Sequence, residues 1–303
     1  MRYEDVGFIR AKLKDDYVFD GIKSCGFEIN IPYKDYNLFL RLLREIWFRL
    51  HLPFKKIWYN SKAYKNNKKV YVIIDPLMIP DYINLVHETN PKARIILMYE
   101  NRADSTIDPR SVSGMIEKWS YDQDDCNKYN MNLFHPCFFE EYKVEKDINE
   151  CDILYLGRDK GRLDYLLELQ KEFQEKGLTT CFHICADRSY MRFKNSNYKK
   201  EIPYKMYLNL MKKTKAILNV ARKDQVCITQ RELEGAFCEV KCITTNSGIL
   251  DFELYDPSRY YLLTADNGDG VVNFLNTEYK KIDESVLNEY KYKKVIWDIL
   301  NGT

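Results

Sequence analysis

The sequence lacks the glycine-rich phosphate loops of two common nucleotide-binding families. It contains no Gly-Lys-Ser/Thr triplet, which excludes a Walker loop, and no Gly-x-Gly-x-x-Gly run that opens a helix after a strand. It also contains no Cys-x-x-Cys pair among its nine cysteines, and the cysteines have no histidines at zinc spacing. These absences exclude a P-loop enzyme and a zinc ribbon, and they favour free thiols in a reducing compartment.

Long apolar runs and a large charge excess are also missing. No apolar run reaches the length of a bilayer span, and Met1 to Asp16 is charged throughout, so we expect neither a membrane helix nor a signal peptide. The net charge of +2 provides no overall attraction to nucleic acid. We therefore expect a cytoplasmic protein, and 303 residues are enough for two domains of about 150 residues each.

The clearest secondary-structure pattern lies between residues 70 and 98. An apolar strand at Val70–Ile74, a helix at Asp81–Thr89 and a strand at Ala93–Met98 predict a β-α-β unit with a parallel sheet. Ligands of such sheets bind beyond the carboxyl ends of the strands. Asp75 and Glu100 follow two of these strands, so we expect them in a cleft.

A second αβ set follows the predicted domain boundary, which we place near residue 140, between domains 1–140 and 141–303. A strand at Asp152–Leu156 runs into Gly157-Arg-Asp-Lys-Gly-Arg162 and then a helix. A glycine turn with three cations at a strand-to-helix junction suits a diphosphate, because the amides and the helix dipole add to the positive side chains. The next strand ends at Asp187, which we expect beside a base or ribose.

The stretch Cys227–Asn246 predicts a helix that begins beside a second anion site. Thr229 and Glu232 have the spacing of a capping box, and Arg231 and Glu234 lie three residues apart on a neighbouring face. An Arg at a helix N-terminus can hold a diphosphate, and a carboxylate one turn further can accept ribose hydroxyls. The alternative is that the two side chains belong to an ordinary solvated helix face.

This stretch resembles the donor-binding segment of GT-B glycosyltransferases, particularly the CgeB-like group of group-1-type transferases of capsule, lipopolysaccharide or exopolysaccharide biosynthesis. That group typically shows Gly-Leu-Asn-x-Arg-x-Phe-Glu-Ala followed by Gly and a short strand. The matching residues here are Cys227-Ile228-Thr229, Arg231, Leu233-Glu234-Gly235 and Ile243-Thr244. Two departures are Cys227 in place of Gly and Glu239-Val240-Lys241 in place of a small-residue turn. The Gly157-Arg158 turn and the run Trp119–Tyr129 resemble the same group.

The resemblance implies an α/β protein of the GT-B class, with two Rossmann-like domains whose parallel sheets face a central cleft. It also implies a glycosyltransferase of the hexosyltransferase type, which moves a sugar from a nucleoside-diphosphate sugar to a hydroxyl of a saccharide or lipid-linked glycan. The C-terminal domain would hold the donor. Cations and helix N-termini would stabilise the leaving diphosphate, so no metal and no cofactor are expected.

The resemblance and the strand ends together predict the site residues. For donor binding we expect Gly157, Arg158, Lys160, Asp187, Thr229, Arg231, Glu234 and Asn246. For a general base in an inverting mechanism the candidates are Asp75, Glu100 and His135. His135 precedes a proline and also suits a structural role, and a retaining enzyme would need none of the three as a base.

A long amphipathic helix is predicted at Asp35–Leu50. Its apolar stripe contains Phe39, Leu42, Leu43, Ile46, Trp47 and Leu50, with three arginines off the stripe. The segment Tyr36–Trp58 suits a lipid-linked acceptor or peripheral contact with an anionic membrane surface, on the inner face of the cell membrane. The alternative is a core helix with a charged outer face.

Two other function classes stay open. A catalytically inactive sugar-nucleotide-binding or scaffold subunit of a polysaccharide assembly complex would bind nucleotide without turnover, and Cys227 in place of Gly supports it. A nucleic-acid-binding protein that uses Arg41–Lys69 would lack any recognised module and the expected charge excess. We rank this last class lowest and expect no nucleic-acid partner.

Overall fold

Two parallel β-sheets form the framework of the chain, as the β-α-β spacing predicts. The computed structural model describes residues 1–13, 15–75, 77–222, 226–265 and 268–302. The chain divides into a first unit of residues 1–135 and 298–303 and a second unit of residues 136–297. The sequence-based boundary near residue 140 lies inside the first segment of the second unit.

The first unit is built on a six-stranded sheet. Its strands are β1 (Val6–Ile9), β2 (Glu28–Asn30), β3 (Val70–Ile74), β4 (Arg94–Tyr99), β5 (Glu117–Ser120) and β6 (Asn132–Leu133). The strand order is β2-β1-β3-β4-β5-β6, and every neighbouring pair is parallel. Its helices are α1 (Tyr17–Ser24), α2 (Leu38–Arg49), α3 (Pro80–Thr89) and α4 (Gln123–Tyr129).

The second unit is built on a five-stranded sheet. Its strands are β7 (Cys151–Arg158), β8 (Thr180–Cys185), β9 (Thr214–Asn219), β10 (Lys241–Thr244) and β11 (Tyr260–Leu262). The order is β11-β10-β9-β7-β8, again parallel throughout. The helices are α5 (Leu163–Glu175), α6 (Tyr204–Met211), α7 (Gln230–Phe237), α8 (Val271–Asn276), α9 (Glu284–Asn288) and α10 (Tyr292–Asn301), and α10 ends in the first unit.

The central strands are buried because connecting helices cover a parallel sheet. Every residue of β3 is buried, and so is every residue of β4 except Arg94. Ile73 and Leu97 belong to a hydrophobic cluster that also contains Ile83 and Val86 of α3. The polar residues that follow these strands therefore sit at the end of a rigid, apolar layer.

The side of α2 that packs on the core is not the side that the sequence pattern predicts. The inward side chains are Leu40, Leu43, Trp47 and Phe48, which pack against the core of the first unit. Arg44 also lies inward, with its guanidinium 4.5 Å from the centre of the Tyr33 ring. Of the six residues of the predicted stripe only Leu43 and Trp47 lie inward, and no residue of the helix is fully buried, so the alternative of a core helix with a charged outer face is wrong.

The other four residues of that stripe are exposed. Together with the following loop they form an apolar surface whose side chains are between 47% and 80% exposed: Leu38, Phe39, Leu42, Ile46, Leu50, Phe54 and Ile57. We call this set the α2 surface. Among the described residues, the structure contains no helix with the length and apolar character needed to span a bilayer.

Gly235 is required by the packing of α7 on β10. A Cβ atom at Gly235 would lie 2.8 Å from the Val240 carbonyl oxygen and 3.4 Å from Cβ of Cys242. The backbone cannot easily move away, because the Val240 amide donates to the Gly235 carbonyl at 2.9 Å. A helix interior normally disfavours glycine by about 1 kcal/mol relative to alanine.

We therefore expect Gly235→Ala to lower the free energy of unfolding by roughly 1–2 kcal/mol, because overpacking outweighs the gain in helix propensity. Urea unfolding followed by circular dichroism measures the change. Gly114→Ala is the control, since an added Cβ there meets nothing within 4 Å. A Gly235→Ala protein as stable as the wild type would contradict the close approach.

Candidate functional site

Glu232 connects the ends of two strands to the start of α7. The residue is fully buried. Its Oε1 accepts hydrogen bonds from Asn219 Nδ2 at 2.9 Å, Thr244 Oγ1 at 2.9 Å and Asn246 Nδ2 at 3.2 Å, and its Oε2 accepts from the Thr229 amide at 2.6 Å. Asn219 ends β9 and Thr244 ends β10, so one carboxylate holds the carboxyl edge of the sheet against the helix. The capping role predicted for Glu232 is confirmed.

Arg231 and Glu234 form a buried network rather than a solvated helix face. Arg231 Nη2 donates to the Leu156 carbonyl at 2.7 Å, and its guanidinium lies 4.6 Å from the centre of the Tyr207 ring. Glu234 is 3% exposed and accepts from Tyr204 Oη at 2.8 Å and Tyr207 Oη at 2.6 Å. Burial raises the pKa of Glu234, and the charge of Arg231 opposes that change. The solvated-face interpretation is therefore wrong.

This network bears on the predicted donor ligands. Each carboxylate oxygen of Glu234 already accepts a tyrosine hydroxyl, and the residue is only 3% exposed, so little of this carboxylate is open to a ribose. Asn246 is fully buried, donates to the Cys227 carbonyl at 3.0 Å and accepts from the Gly248 amide at 3.1 Å. Within the described residues, Arg231 Nη1 is a buried atom without a hydrogen-bond partner. The donor roles of these residues stay predictions.

The predicted phosphate turn lies where β7 meets α5. Gly161 has φ +76° and Lys160 has φ +48°, both in the left-handed region. The Lys160 amide donates to Asp187 Oδ1 at 3.2 Å, so the turn and the end of β8 are joined. Arg158 pairs with Glu201 at 2.7 Å and donates to the Asp187 carbonyl at 3.4 Å. The structure thus brings Gly157, Arg158, Lys160 and Asp187 together.

A cavity of about 440 Å³ opens beside this turn. It is lined by Arg162, Tyr165, Val220, Ala221, Arg222, Thr245 and Ser247. These residues follow β9 and β10 or begin α5, so the cavity sits at the carboxyl edge of the sheet, where parallel sheets bind ligands. Arg162 is held there because it donates to the carbonyls of Val220 and Ala221.

Positive charge is concentrated around the cavity. The turn desolvates the Lys160 ammonium, and the like charges of Arg222 and Arg162 add to that effect, so the pKa of Lys160 lies below its usual range. An anion would relieve this repulsion. Arg222 was not among the predicted residues, although its place two residues after Val220, at the end of a predicted strand, is the signal that could have identified it.

An acidic cluster occupies the carboxyl edge of the first unit. Asp75 is fully buried, with Oδ1 accepting from the Glu100 amide at 2.8 Å and Oδ2 accepting from Asn101 Nδ2 at 3.4 Å. Burial raises the pKa of Asp75 to about 6 and that of Glu100 to about 7. The Glu100 side chain is 24% exposed, and its Oε2 accepts from Arg10.

The three candidate bases therefore differ in setting. Asp75 and Glu100 are in contact through the Glu100 amide. His135 is exposed and follows β6, two strands away from β4 in the sheet. Glu100 has a raised pKa and a side chain that is 24% exposed, whereas Asp75 is fully buried and accepts from the Glu100 amide.

Comparison with known proteins identifies the fold. No protein-family model matches the sequence, and no curated protein is similar to it. The lipopolysaccharide outer core galactosyltransferase WaaB, in its apo form, is similar in structure with a TM-score of 0.54, 12% identity, and coverage of 98% of both chains. At this identity the likeness concerns the fold alone: the chain has the GT-B fold.

Two further structures are less similar. The spinosyn forosaminyltransferase SpnP has a TM-score of 0.46 at 11% identity, and the alignment covers 98% of both chains. MurG of Acinetobacter baumannii has a TM-score of 0.45 at 9% identity, covering 98% of this chain and 99% of that one.

The acidic run Asp122–Asp125 follows β5 and contains carboxylates at a spacing found in metal sites. Asp122 and Asp124 have the Asp-x-Asp spacing of a carboxylate pair that can hold a divalent cation. Asp122 is buried at the N-terminus of α4, where its side chain accepts from the Asp125 amide. In the described part of the chain, no group of three His, Cys, Asp or Glu residues is arranged to hold a metal ion.

We expect Glu232→Gln to lower the free energy of unfolding by about 1–3 kcal/mol, because the amide group would face the Thr229 amide and leave one donor unpaired. Thermal unfolding measures this change. Glu168→Gln, the same substitution at an exposed position of α5, is the control. Equal stability of the two variants would show that the carboxylate does not hold the strand ends.

Proposed function

We propose that this chain is a glycosyltransferase of the hexosyltransferase type. It would transfer a sugar from a nucleoside-diphosphate sugar to a hydroxyl of a saccharide or lipid-linked glycan in polysaccharide biosynthesis. The observation that carries the proposal is the cavity lined by Arg162 and Arg222 at the carboxyl edge of the second sheet, beside the Lys160 turn. The GT-B fold supports the reaction class, although a fold alone does not establish a function.

In the proposed reaction the diphosphate leaves from the anomeric carbon of the donor. Its developing negative charge needs preorganised positive groups. Lys160, Arg162 and Arg222 supply charge at the cavity, and the N-terminus of α5 adds backbone amides. Arg231, with Nη1 unpaired, is a further candidate. The proposal uses these groups instead of a metal ion or a cofactor.

Glu100 is our candidate for the general base. A base must be deprotonated and reachable, and Glu100 is partly exposed with a pKa of about 7 that suits proton transfer near neutral pH. This assignment corresponds to inversion at the anomeric carbon. Asp75 has both carboxylate oxygens engaged, so it supports Glu100 rather than the substrate.

The second candidate function is a catalytically inactive subunit that binds a sugar nucleotide in a polysaccharide assembly complex. The engaged carboxylate of Glu234 favours it, because the predicted ribose contact is occupied by Tyr204 and Tyr207. Such a subunit would bind nucleotide at the same cavity. Only turnover separates the two functions.

We also propose that the α2 surface contacts an anionic membrane, on its cytoplasmic side. Residues 34–69 contain ten Lys or Arg and two acidic residues, a local charge of +8 in a chain of net +2. Exposed apolar side chains flanked by such charge are typical of interfacial helices. A membrane contact would also bring the protein to a lipid-linked acceptor.

For donor binding we expect one of UDP, GDP, dTDP, CDP and CMP to bind in the micromolar range without divalent metal, in calorimetric titrations. Arg222→Ala should weaken binding by about 1.5–3 kcal/mol through loss of a charge-assisted contact. Arg110→Ala, an exposed arginine of the first unit, is the control. No binding by any nucleotide would refute the proposal, and binding without turnover on any acceptor would favour the inactive subunit.

For membrane contact we expect the protein to float with vesicles that contain phosphatidylglycerol and not with phosphatidylcholine alone. The double variant Leu42→Asp, Ile46→Asp should reduce binding at least about tenfold, since each large apolar side chain contributes on the order of 1–3 kcal/mol on insertion. Met115→Asp is the control, because Met115 is 79% exposed elsewhere in the first unit. Unchanged flotation of the double variant would exclude the α2 surface.

A further inference from the structure

Arg10 is a buried arginine whose guanidinium group donates hydrogen bonds to two carboxylates. It directly follows β1 and is 3% exposed. Its Nε donates to Asp16 Oδ2 at 3.1 Å and its Nη2 donates to Asp16 Oδ1 at 3.2 Å, while Nη1 donates to Glu100 Oε2. The planar guanidinium therefore bridges two carboxylates in a fixed geometry.

Asp16 is held in turn by the backbone. It is the residue before α1, is 5% exposed, and accepts from the Phe19 amide at 3.2 Å and the Leu13 amide at 3.0 Å. These contacts fix the carboxylate at a helix N-terminus, where negative charge is favoured. Arg10 consequently has an immobile partner on one side and Glu100 on the other.

The two carboxylate oxygens of Glu100 differ in their contacts: Oε2 accepts from Arg10, whereas Oε1 does not. In the part of the chain that the structure describes, no hydrogen bond reaches Oε1, and the side chain is 24% exposed. The charged groups that face Glu100 are Arg10, Asp75 and Asp16. One cation, Arg10, thus lies among three carboxylates, those of Glu100, Asp75 and Asp16, at a partly buried site.

We propose that Arg10, held by Asp16, is a positioning residue that fixes one oxygen of Glu100 and leaves the other to take the proton of the acceptor hydroxyl. The inference rests on the proposed function. In that step the acceptor oxygen bonds to the anomeric carbon as its proton moves to Glu100 Oε1. The bond between the anomeric carbon and the phosphate oxygen breaks, and its electron pair leaves with the nucleoside diphosphate.

The charges around Glu100 predict opposite effects on its pKa when Arg10 and when Asp16 is replaced. Arg10→Gln removes the adjacent positive charge, so the pKa of Glu100 should rise, by roughly one pH unit or more. Asp16→Asn removes a negative charge but retains a side chain that can cap α1, so the pKa of Glu100 should fall, by roughly half a pH unit. Because these shifts follow from the charges alone, the pH profile of turnover is the readout that a merely structural role would not move.

The test is a carbon-13 titration of the glutamate carboxyl groups in the full-length protein, with the Glu100 signal assigned by its loss in Glu100→Gln. It needs no substrate and no turnover. Arg94→Gln is the control, because Arg94 is a partly buried arginine paired with Glu117 in the same sheet. If Arg10→Gln fails to fold, Arg10→Lys replaces it: the Glu100 titration should stay near the wild-type value, while turnover falls.

The pH dependence of kcat/KM then links the titration to the reaction. Because a base acts when deprotonated, the rate should rise with pH through about 7 in the wild type. That limb should move up in Arg10→Gln and down in Asp16→Asn. Titration shifts of one sign, or none, would overturn the inference. Shifts without movement of the limb would also overturn it, by removing Glu100 from the reaction, while nucleotide binding would still support the proposed function.

Discussion

The carboxylate of Glu232 is the constraint on which the second unit depends. A fully buried charge is unfavourable unless its oxygens are hydrogen-bonded, and here four donors from two strand ends and one helix start satisfy it. The same contacts determine where β9 and β10 stop and where α7 begins. The edge at which the Arg162 and Arg222 cavity opens is therefore set by the hydrogen bonds of one buried carboxylate.

The two units use the same edge of a parallel sheet for opposite charges. The second unit gathers arginine and lysine side chains beside short turns, so a bound diphosphate would relieve their repulsion. The first unit gathers carboxylates around one arginine, and burial raises the pKa of Asp75 and Glu100. The edge in the second unit is thus suited to binding an anion, and the edge in the first unit is suited to accepting a proton.

Local signals in the sequence predict the local features well. The apolar runs of β3 and β4 indicate a buried parallel pair, and the spacing of Thr229 and Glu232 identifies the start of α7. The surroundings of Glu234 could not be predicted, because Tyr204 and Tyr207 lie on another helix and reach it only in three dimensions. Arg10 escapes notice for the same reason: its partner Glu100 is 90 residues away in the chain.

The burial of α2 shows why periodicity alone was insufficient there. Apolar residues occupy two adjacent stripes of this helix, and a helical period does not say which one faces the core. The choice is made by Tyr33 and Trp58, which pack on Phe48 and Trp47 and so turn the other stripe outward. Leaving seven large apolar side chains in water is unfavourable. The surrounding segment of residues 34–69 has a sequence charge of +8, so the anionic membrane proposed above would relieve the exposure of the apolar side chains and the excess of positive charge.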